Sequence, residues 1–162
     1  MSCMENCKEK FLDGIIEAFV YTSDNTSFPK PFSVPQITGM TACSLKNPAL
    51  RIAMTDTADA EADSISAKVT PELSGNGTVF THEITISVTQ GIENVRQAHK
   101  NIAGKDCYVV FTTSGGETYL SYTCPGSFVF KPTAISTSTD PSLSLTITLK
   151  SMSDFILITT TT

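Results

Sequence analysis

Residues 78–88 have the sequence TVFTHEITISV, in which apolar and polar side chains alternate. A period of two is typical of a half-buried antiparallel strand. Residues 64–70 alternate in the same way, and Ser74-Gly75-Asn76-Gly77 separates the two runs. Glycine and asparagine accept the positive φ angles that tight turns require. The sequence therefore predicts a β-hairpin, and the apolar side of its second strand consists of Phe80, His82, Ile84, Ile86 and Val88.

A helix is predicted directly after this hairpin, over residues 91–103. Ile92, Val95 and Ile102 fall on one helical face, together with either Ala98 or His99. Gly104 is suited to end the helix, because glycine readily adopts the left-handed conformation found at helix C-termini. A helix that is apolar along one stripe only is expected to pack against a sheet.

Residues 14–21 allow two interpretations. Cys7, Phe11, Ile15 and Ala18 follow a helical spacing, but Gly14 weakens a helix and the Ile, Phe, Val and Tyr content favours a strand. We predict the strand. The C-terminal half has further strand patterns: a hairpin of 107–112 and 117–122, a short strand at 128–130, a loop over 132–142, a strand over 143–149 and an apolar run at 155–158.

These elements predict one mainly β domain, a small β-sandwich or partly closed barrel with one flanking α-helix. Residues 1–13 are assigned to an N-terminal arm, residues 14–150 to the domain and residues 151–162 to a C-terminal extension. Within the domain, residues 22–48 contain Pro29, Pro31, Pro35 and Pro48 and are predicted to form a long proline-rich loop or arm. Long loops in small domains are usually functional or interfacial.

The composition of the 162 residues fits this assignment, because 24 are Thr and 18 are Ser. The formal net charge is −5, which argues against a general nucleic-acid clamp, since such proteins need clustered Lys and Arg. No stretch approaches the 18 apolar residues of a membrane span. The first residues show neither the basic nor the apolar region of a signal peptide. We therefore expect a protein of the cytoplasm.

No metal, cofactor or catalytic site is expected from the motifs. The five cysteines are odd in number, and Cys3 and Cys7 lack a second ligand pair at zinc-finger spacing. Cys107 alternates with apolar neighbours and is predicted to be a core residue. His82 is predicted to occupy a hydrogen-bonded position at a sheet edge, and neither it nor His99 has a nucleophile beside it in the sequence.

The order of these elements resembles that of the tail tube proteins of tailed bacteriophages, and more closely the small virion proteins of phages that infect gut bacteria. The likeness covers residues 14–150. It rests on five stretches: 14–21 as the first strand, 78–86 as the long strand before the helix, 92–104 as the helix, 108–120 as the hairpin with Gly115-Gly116 at its turn, and 143–149 as the closing strand.

This resemblance implies two packed β-sheets with a helix, in subunits that form stacked rings. It implies a tail tube through which DNA passes without sequence-specific binding, with other tail or neck proteins as partners. It places the protein in the virion after synthesis in the host cytoplasm, with no catalytic role and no membrane. A head–tail connector, neck ring or tail terminator is the alternative within the virion. A monomeric β-sandwich binding module and a small hydrolase using His82 or His99 are the alternatives from other classes.

Two sets of residues are candidates for these roles. An added strand or arm supplies main-chain hydrogen bonds to a neighbour, so apolar residues of the proline-rich segment and the C-terminal extension are candidates for the subunit interface. These are Phe28, Pro29, Pro31, Phe32, Pro35, Phe155, Ile156, Leu157 and Ile158. The acidic run of Asp56, Asp59, Glu61 and Asp63 contains no basic residue and is the candidate lumen or surface loop. A negative lumen would let DNA slide without sticking.

Overall fold

A computed structural model of the chain describes residues 10–12, 14–22, 48–55, 58–75, 77–102, 105, 107–122, 127–135, 142–151 and 154–158. This part of the chain contains ten strands and one helix. They are β1 (Lys10–Leu12), β2 (Ile15–Thr22), β3 (Leu50–Ala53), β4 (Ala60–Ser74), β5 (Gly77–Gln90), α1 (Ile92–Ile102), β6 (Cys107–Thr113), β7 (Thr118–Tyr122), β8 (Phe128–Ile135), β9 (Ser142–Ser151) and β10 (Ile156–Ile158).

All ten strands belong to one open sheet with the order β10-β7-β6-β2-β3-β4-β5-β9-β8, and β1 pairs with β4 beside this path. Neighbouring strands are antiparallel except β3 and β4. That parallel contact comprises only two residue pairs, Ile52–Ala60 and Ala53–Glu61. Directly after this parallel contact, the pairing of β4 with β5 has register shifts on either side of Ala62. Such irregularities bend a strand and increase its twist.

The sheet folds so that its two halves face each other across one core. Val20, Val109 and Phe111 come from the first half (β10, β7, β6, β2 and β3), and they share a buried cluster with residues of the second half (β4, β5, β9 and β8). The second half contributes Ile65, Ala67, Ile84, Ile86, Val88, Leu143, Leu145, Ile147 and Leu149. Each Val, Leu, Ile or Phe side chain of this cluster contributes roughly 1.5–3 kcal/mol on burial. We call the core-facing side of the sheet its inner face and the opposite side its outer face.

Helix α1 packs on this core through Val95, Ala98 and Ile102, which are buried, and it contacts β3, β4 and β8. The structure thus selects Ala98 over His99 as the core-facing residue. The backbone N–H of Val95 donates to the carbonyl of Gly91, which makes the first turn. Glu93 in the first turn and Lys100 in the last have the charges that the helix dipole favours.

The mainly β fold class with a single helix is confirmed, and the sheet is open rather than closed into a barrel. The strand interpretation of residues 14–21 is correct, as are the hairpin of β4 and β5 and the strand β9. Cys107 is fully buried, as predicted. These elements have the clearest alternation or apolar stripe in the sequence.

Two expectations need correction, and two short strands were not predicted. The loop predicted over 132–142 begins later, because β8 runs to Ile135 and pairs with β9. Within the predicted N-terminal arm, β1 pairs with β4. The four-residue strand β3 has no alternation long enough to identify it. His82 is not at a sheet edge, because β5 lies between β4 and β9.

Candidate assembly surfaces

The hairpin of β4 and β5 is longer than the strands beside it. The two strands pair from Glu61–Gln90 to Ser74–Gly77. Among the described residues, β1 pairs with β4 as far as Val69, and β9 pairs with β5 as far as Phe80. Residues 70–79, the hairpin tip, therefore extend past the described neighbouring strands by five residues on β4 and three on β5, or roughly 10–15 Å.

The inner side of the hairpin tip continues the apolar face of the core. Side chains two residues apart on a strand, and side chains directly opposite across a strand pair, share one face of a sheet. Val69 lies opposite His82, and both are buried on the inner face. Phe80 and Leu73 follow on the same face, and Leu73 is 76% exposed. The protein thus presents a large aliphatic side chain on a protruding element.

β8 forms one edge of the sheet among the described strands, and this edge is a second candidate surface. Val129 is 54% exposed there. The backbone N–H of Lys150 donates to the carbonyl of Ser127 at 3.3 Å, so every second residue from Phe128 onward directs its N–H away from β9. Pro132 occupies one of these positions and has no N–H to donate. Pro132 therefore hinders the pairing of a further strand with the middle of this edge.

The predicted interface residues of the C-terminal extension mostly contact other parts of the same chain. The ring of Phe155 lies 4.6 Å from that of His82 and 5.1 Å from that of Phe111, measured between ring centroids. Ile156 is buried, and β10, which includes Ile158, pairs with β7 of the same chain. Leu157 is 57% exposed. Of Phe155, Ile156 and Leu157, only Leu157 offers most of its side chain to a partner.

The other predicted interface residues, Phe28, Pro29, Pro31, Phe32 and Pro35, lie outside the described residues, as does Asp56 of the acidic run. The remaining acids lie around the start of β4. The Asp59 carboxylate accepts a hydrogen bond from the backbone N–H of Arg51 at 3.0 Å. The backbone carbonyl of Asp59 accepts a second one from the side-chain amide of Asn94 at 2.7 Å. Asp59 thus holds the chain before β4 against β3 and α1.

Glu61 and Asp63 follow on β4 itself. Glu61 is half-buried, and its carbonyl accepts a hydrogen bond from the Thr89 hydroxyl at 3.3 Å. Asp63 is exposed, as is Asp59. In the part of the chain that the structure describes, no group of three His, Cys, Asp or Glu side chains is arranged to hold a metal ion. Asp59 and Asp63 are available as surface negative charge.

The two histidines have different surroundings. His82 is fully buried, and its Nδ1 shares a hydrogen bond of 2.6 Å with the hydroxyl of Ser121, which is also fully buried. Because β5 and β7 lie in opposite halves of the sheet, this bond joins the halves across the core. His99 is exposed on α1, and its ring stacks on Phe130 at 5.7 Å. The sequence indicated the buried position of His82 through its spacing, because His82, Ile84 and Ile86 are two residues apart and so share one face of the strand.

The outer face of β2 and β3 has an ion pair with aromatic neighbours. The Arg51 guanidinium lies 2.7 Å from the Glu17 carboxylate and 5.7 Å from the centroid of the Phe19 ring. The Phe19 and Tyr21 rings are 6.2 Å apart. Burial, and secondarily the negative charge of Glu17, raise the pKa of Tyr21 to about 12. These contacts hold the side chains on the outer face of β2 and β3 in place.

Stability is expected to fall as the pH rises from 10 to 12. The phenol of an unperturbed tyrosine titrates near 10, so the unfolded chain loses this proton before the folded protein does. The contribution of Tyr21 is complete below pH 10 and is lost through pH 12, with a slope of at most about 1.4 kcal/mol per pH unit. Urea unfolding at pH 8, 10 and 11 measures this slope. The Tyr21→Phe variant should have a flatter profile, and an equal slope in both proteins would contradict the prediction.

No known family matches this chain, and no curated protein or solved structure matches it either. In the described ranges, no helix combines the length and the apolar character that a membrane crossing requires.

Proposed function

We propose that this chain is a structural protein of a bacteriophage virion, and that its copies assemble into rings that build the tail tube through which DNA passes. The order of sequence elements supports this proposal through its resemblance to tail tube proteins. The mainly β sandwich with one helix is compatible with such a subunit.

The hairpin tip is the observation that carries the self-assembly part of the proposal. An apolar face that continues past the core, with Leu73 76% exposed, is unfavourable in a free monomer and favourable once a neighbour covers it. A protruding hairpin that contacts a different surface of the next copy makes a head-to-tail contact. Such contacts close into a ring when the rotation between copies is suitable. Leu73 is the central residue of this contact.

The charge of the chain fits passage of DNA through a channel. The formal net charge is −5, and the exposed carboxylates of Asp59 and Asp63 lie near each other in sequence around the start of β4. Negative charge along a lumen repels the phosphate backbone and prevents DNA from adhering. We place these carboxylates on the lumen side of the ring.

The test is the mass of the purified protein by light scattering, followed by negative-stain imaging of the same sample. Rings or tubes with a central channel are expected. Stacked rings favour the tail tube, whereas single rings that do not stack favour a connector, neck ring or tail terminator. A stable monomer of 17.4 kDa at high concentration would contradict self-assembly and favour a binding module.

Replacement of Leu73 by aspartate is expected to raise the concentration needed for assembly at least about 10-fold. Burial of a leucine contributes roughly 1.5–3 kcal/mol, and about 1.4 kcal/mol corresponds to a factor of ten. Because Leu73 lies outside the core, thermal unfolding of the subunit should be nearly unchanged. The matched control is Ile16→Asp, which places the same charge at an exposed aliphatic position on β2, outside the hairpin tip and the β8 edge, and which should leave assembly unchanged. Equal assembly of the Leu73 variant and the wild type would exclude the hairpin tip as the contact.

A further inference from the structure

The outer face of the second half of the sheet is polar over most of its area. Serine and threonine side chains cover the outer sides of β4, β5 and β9, as in the row Ser66, Thr85 and Thr146. Val129 of β8 lies on the same face, opposite a threonine of β9, and is largely exposed. A single exposed aliphatic residue is common on protein surfaces, so the charges around Val129 decide whether it indicates a contact.

Two lysines flank Val129. Lys131 follows two residues later on β8 and therefore shares its face. The backbone N–H of Lys150 donates to the carbonyl of Ser127, which places Lys150 of β9 on the other side of Val129 along the strands. Both lysines are exposed, and no carboxylate of the described residues forms an ion pair with either. We call Val129, Lys131 and Lys150 the receiving patch, an apolar centre between two unpaired positive charges.

The hairpin tip has the complementary pattern. It presents Leu73, and the preceding residue, Glu72, has an exposed carboxylate. Within the part of the chain that the structure describes, no lysine or arginine forms an ion pair with Glu72. Glu72 lies past the last pairing of β1 with β4, so its flexible side chain can bend around the strand edge towards a contact made by Leu73. The tip therefore combines an apolar side chain with an unpaired negative charge.

The tip of a chain lies too far from the receiving patch of the same chain to contact it. One row across the four strands of this half consists of Val129, Thr148, Glu83 and Lys68. Leu73 lies five residues beyond Lys68 on β4. Three strand intervals give about 14 Å across the sheet, and five residues give about 16 Å along it. A contact between the tip and the receiving patch therefore joins two copies of the chain.

We propose that the hairpin tip of one copy docks on the receiving patch of the next, with Leu73 against Val129 and the Glu72 carboxylate paired with Lys131 or Lys150. This inference rests on the proposed function, because it names the surface that the tip meets during self-assembly. Apolar burial supplies affinity, and the opposite charges fix the orientation and select this site over others. Because Pro132 hinders the pairing of a further strand with β8, side chains and not strand hydrogen bonds make the contact.

Other exposed aliphatic side chains have surroundings that do not attract the tip carboxylate. Leu157 lies opposite the tyrosine whose hydroxyl donates to the Glu117 carboxylate. Ile16 precedes Glu17, whose charge is already paired with an arginine. Ile135 lies at the other end of β8 with a serine opposite it. In the register of the described strands, none of these three positions has an unpaired lysine beside it, so the charges favour the receiving patch.

The first test is photo-cross-linking from a benzophenone amino acid at position 73, after nitrogen-15-labelled and unlabelled chains have been refolded together. Mass spectrometry identifies the linked peptides. Links with mixed labels to residues 127–131 or 148–151 are expected. Mixed-label links to another segment would overturn the receiving patch and leave self-assembly through the tip intact. Absence of mixed-label links would overturn both. The same probe at Ile135 is the control and should not link to the tip.

The second test is Val129→Asp, which is expected to raise the concentration needed for assembly at least about 5-fold in light scattering. Ile135→Asp is the matched control, because it places the same charge at an exposed position on the same strand and face and should leave assembly unchanged. Thermal unfolding of both variants should match the wild type. If Leu73→Asp weakens assembly and Val129→Asp does not, the receiving patch is excluded and the proposed function stands.

The third test exchanges the charges. Glu72→Lys is expected to raise the assembly concentration about 3-fold or more, because it turns an attraction into a repulsion. Combination with Lys131→Glu or with Lys150→Glu should restore assembly to within about 2-fold of the wild type in at least one of the two cases. Combination with Lys100→Glu, an exposed lysine on α1, is the matched control and should restore nothing. Failure of both exchanges to restore assembly would overturn the pairing of the tip with the receiving patch.

Discussion

Replacement of Gly91 by alanine is expected to destabilise the protein by about 3–5 kcal/mol. Gly91 connects β5 to α1 and has a φ angle of +78°, a conformation that side chains disfavour. A Cβ atom there would lie 2.5 Å from the carbonyl oxygen of Asp59 and 2.8 Å from the Cα atom of Ala60. Both contacts are with backbone, so no side chain can rotate away to relieve them.

The clash would separate elements that meet at this point. Asp59 contacts Arg51 of β3 and Asn94 of α1 through its hydrogen bonds, and Ala60 begins β4. Moving this backbone therefore disturbs the short parallel contact of β3 with β4 and the seating of the helix. Urea unfolding followed by circular dichroism measures the loss of stability.

Gly116 provides the matched control for Gly91. Its φ angle is +87°, but a Cβ atom there meets nothing within 4 Å. Gly116→Ala should therefore cost only the conformational strain, about 1 kcal/mol. Equal losses in the two variants would mean that strain alone, and not the contact with Asp59 and Ala60, requires glycine at position 91.

Local patterns were sufficient to predict the long strands and the helix. The alternation around Ile84 and Ile86 identified β5, and the spacing of Val95 and Ile102 identified α1. Both signals arise because one face of the element is buried along its whole length. β3 has four residues and β1 has three, which is too short for a period to be recognised. β1 is stabilised by pairing with β4 and β3 mainly by pairing with β2, and each of these partners lies far from the short strand in the sequence.

The surfaces were less predictable than the elements. Leu73 continues the alternation of β4, but its exposure depends on where β1 and β9 end. β9 ends at Ser151, which lies far from Leu73 in the sequence. The C-terminal residues Phe155 and Ile156 have the apolar character of an interface strand. Only the tertiary packing shows that Phe155 lies against His82 and Phe111 and that β10 pairs with β7. A single sequence does not distinguish an apolar strand that meets a neighbour from one that closes its own sheet.

Replacement of His82 by alanine is expected to destabilise the protein by about 3–5 kcal/mol. The imidazole is fully buried, so its removal leaves a cavity beneath Phe155. It also leaves the buried Ser121 hydroxyl without its 2.6 Å hydrogen-bond partner. His99→Ala is the matched control: that ring is exposed, and we expect a loss of at most about 1 kcal/mol.

A double-mutant cycle separates the hydrogen bond from the packing. Ser121→Ala removes the bond with little change in volume and should cost about 1–3 kcal/mol. If the bond joins the two halves of the sheet, the double variant will lose about 1–2 kcal/mol less than the sum of the single variants. Additive losses would mean that His82 stabilises the fold by filling space alone. In that case the halves would be aligned by apolar packing, and a residue such as methionine at position 82 should substitute for histidine at little cost.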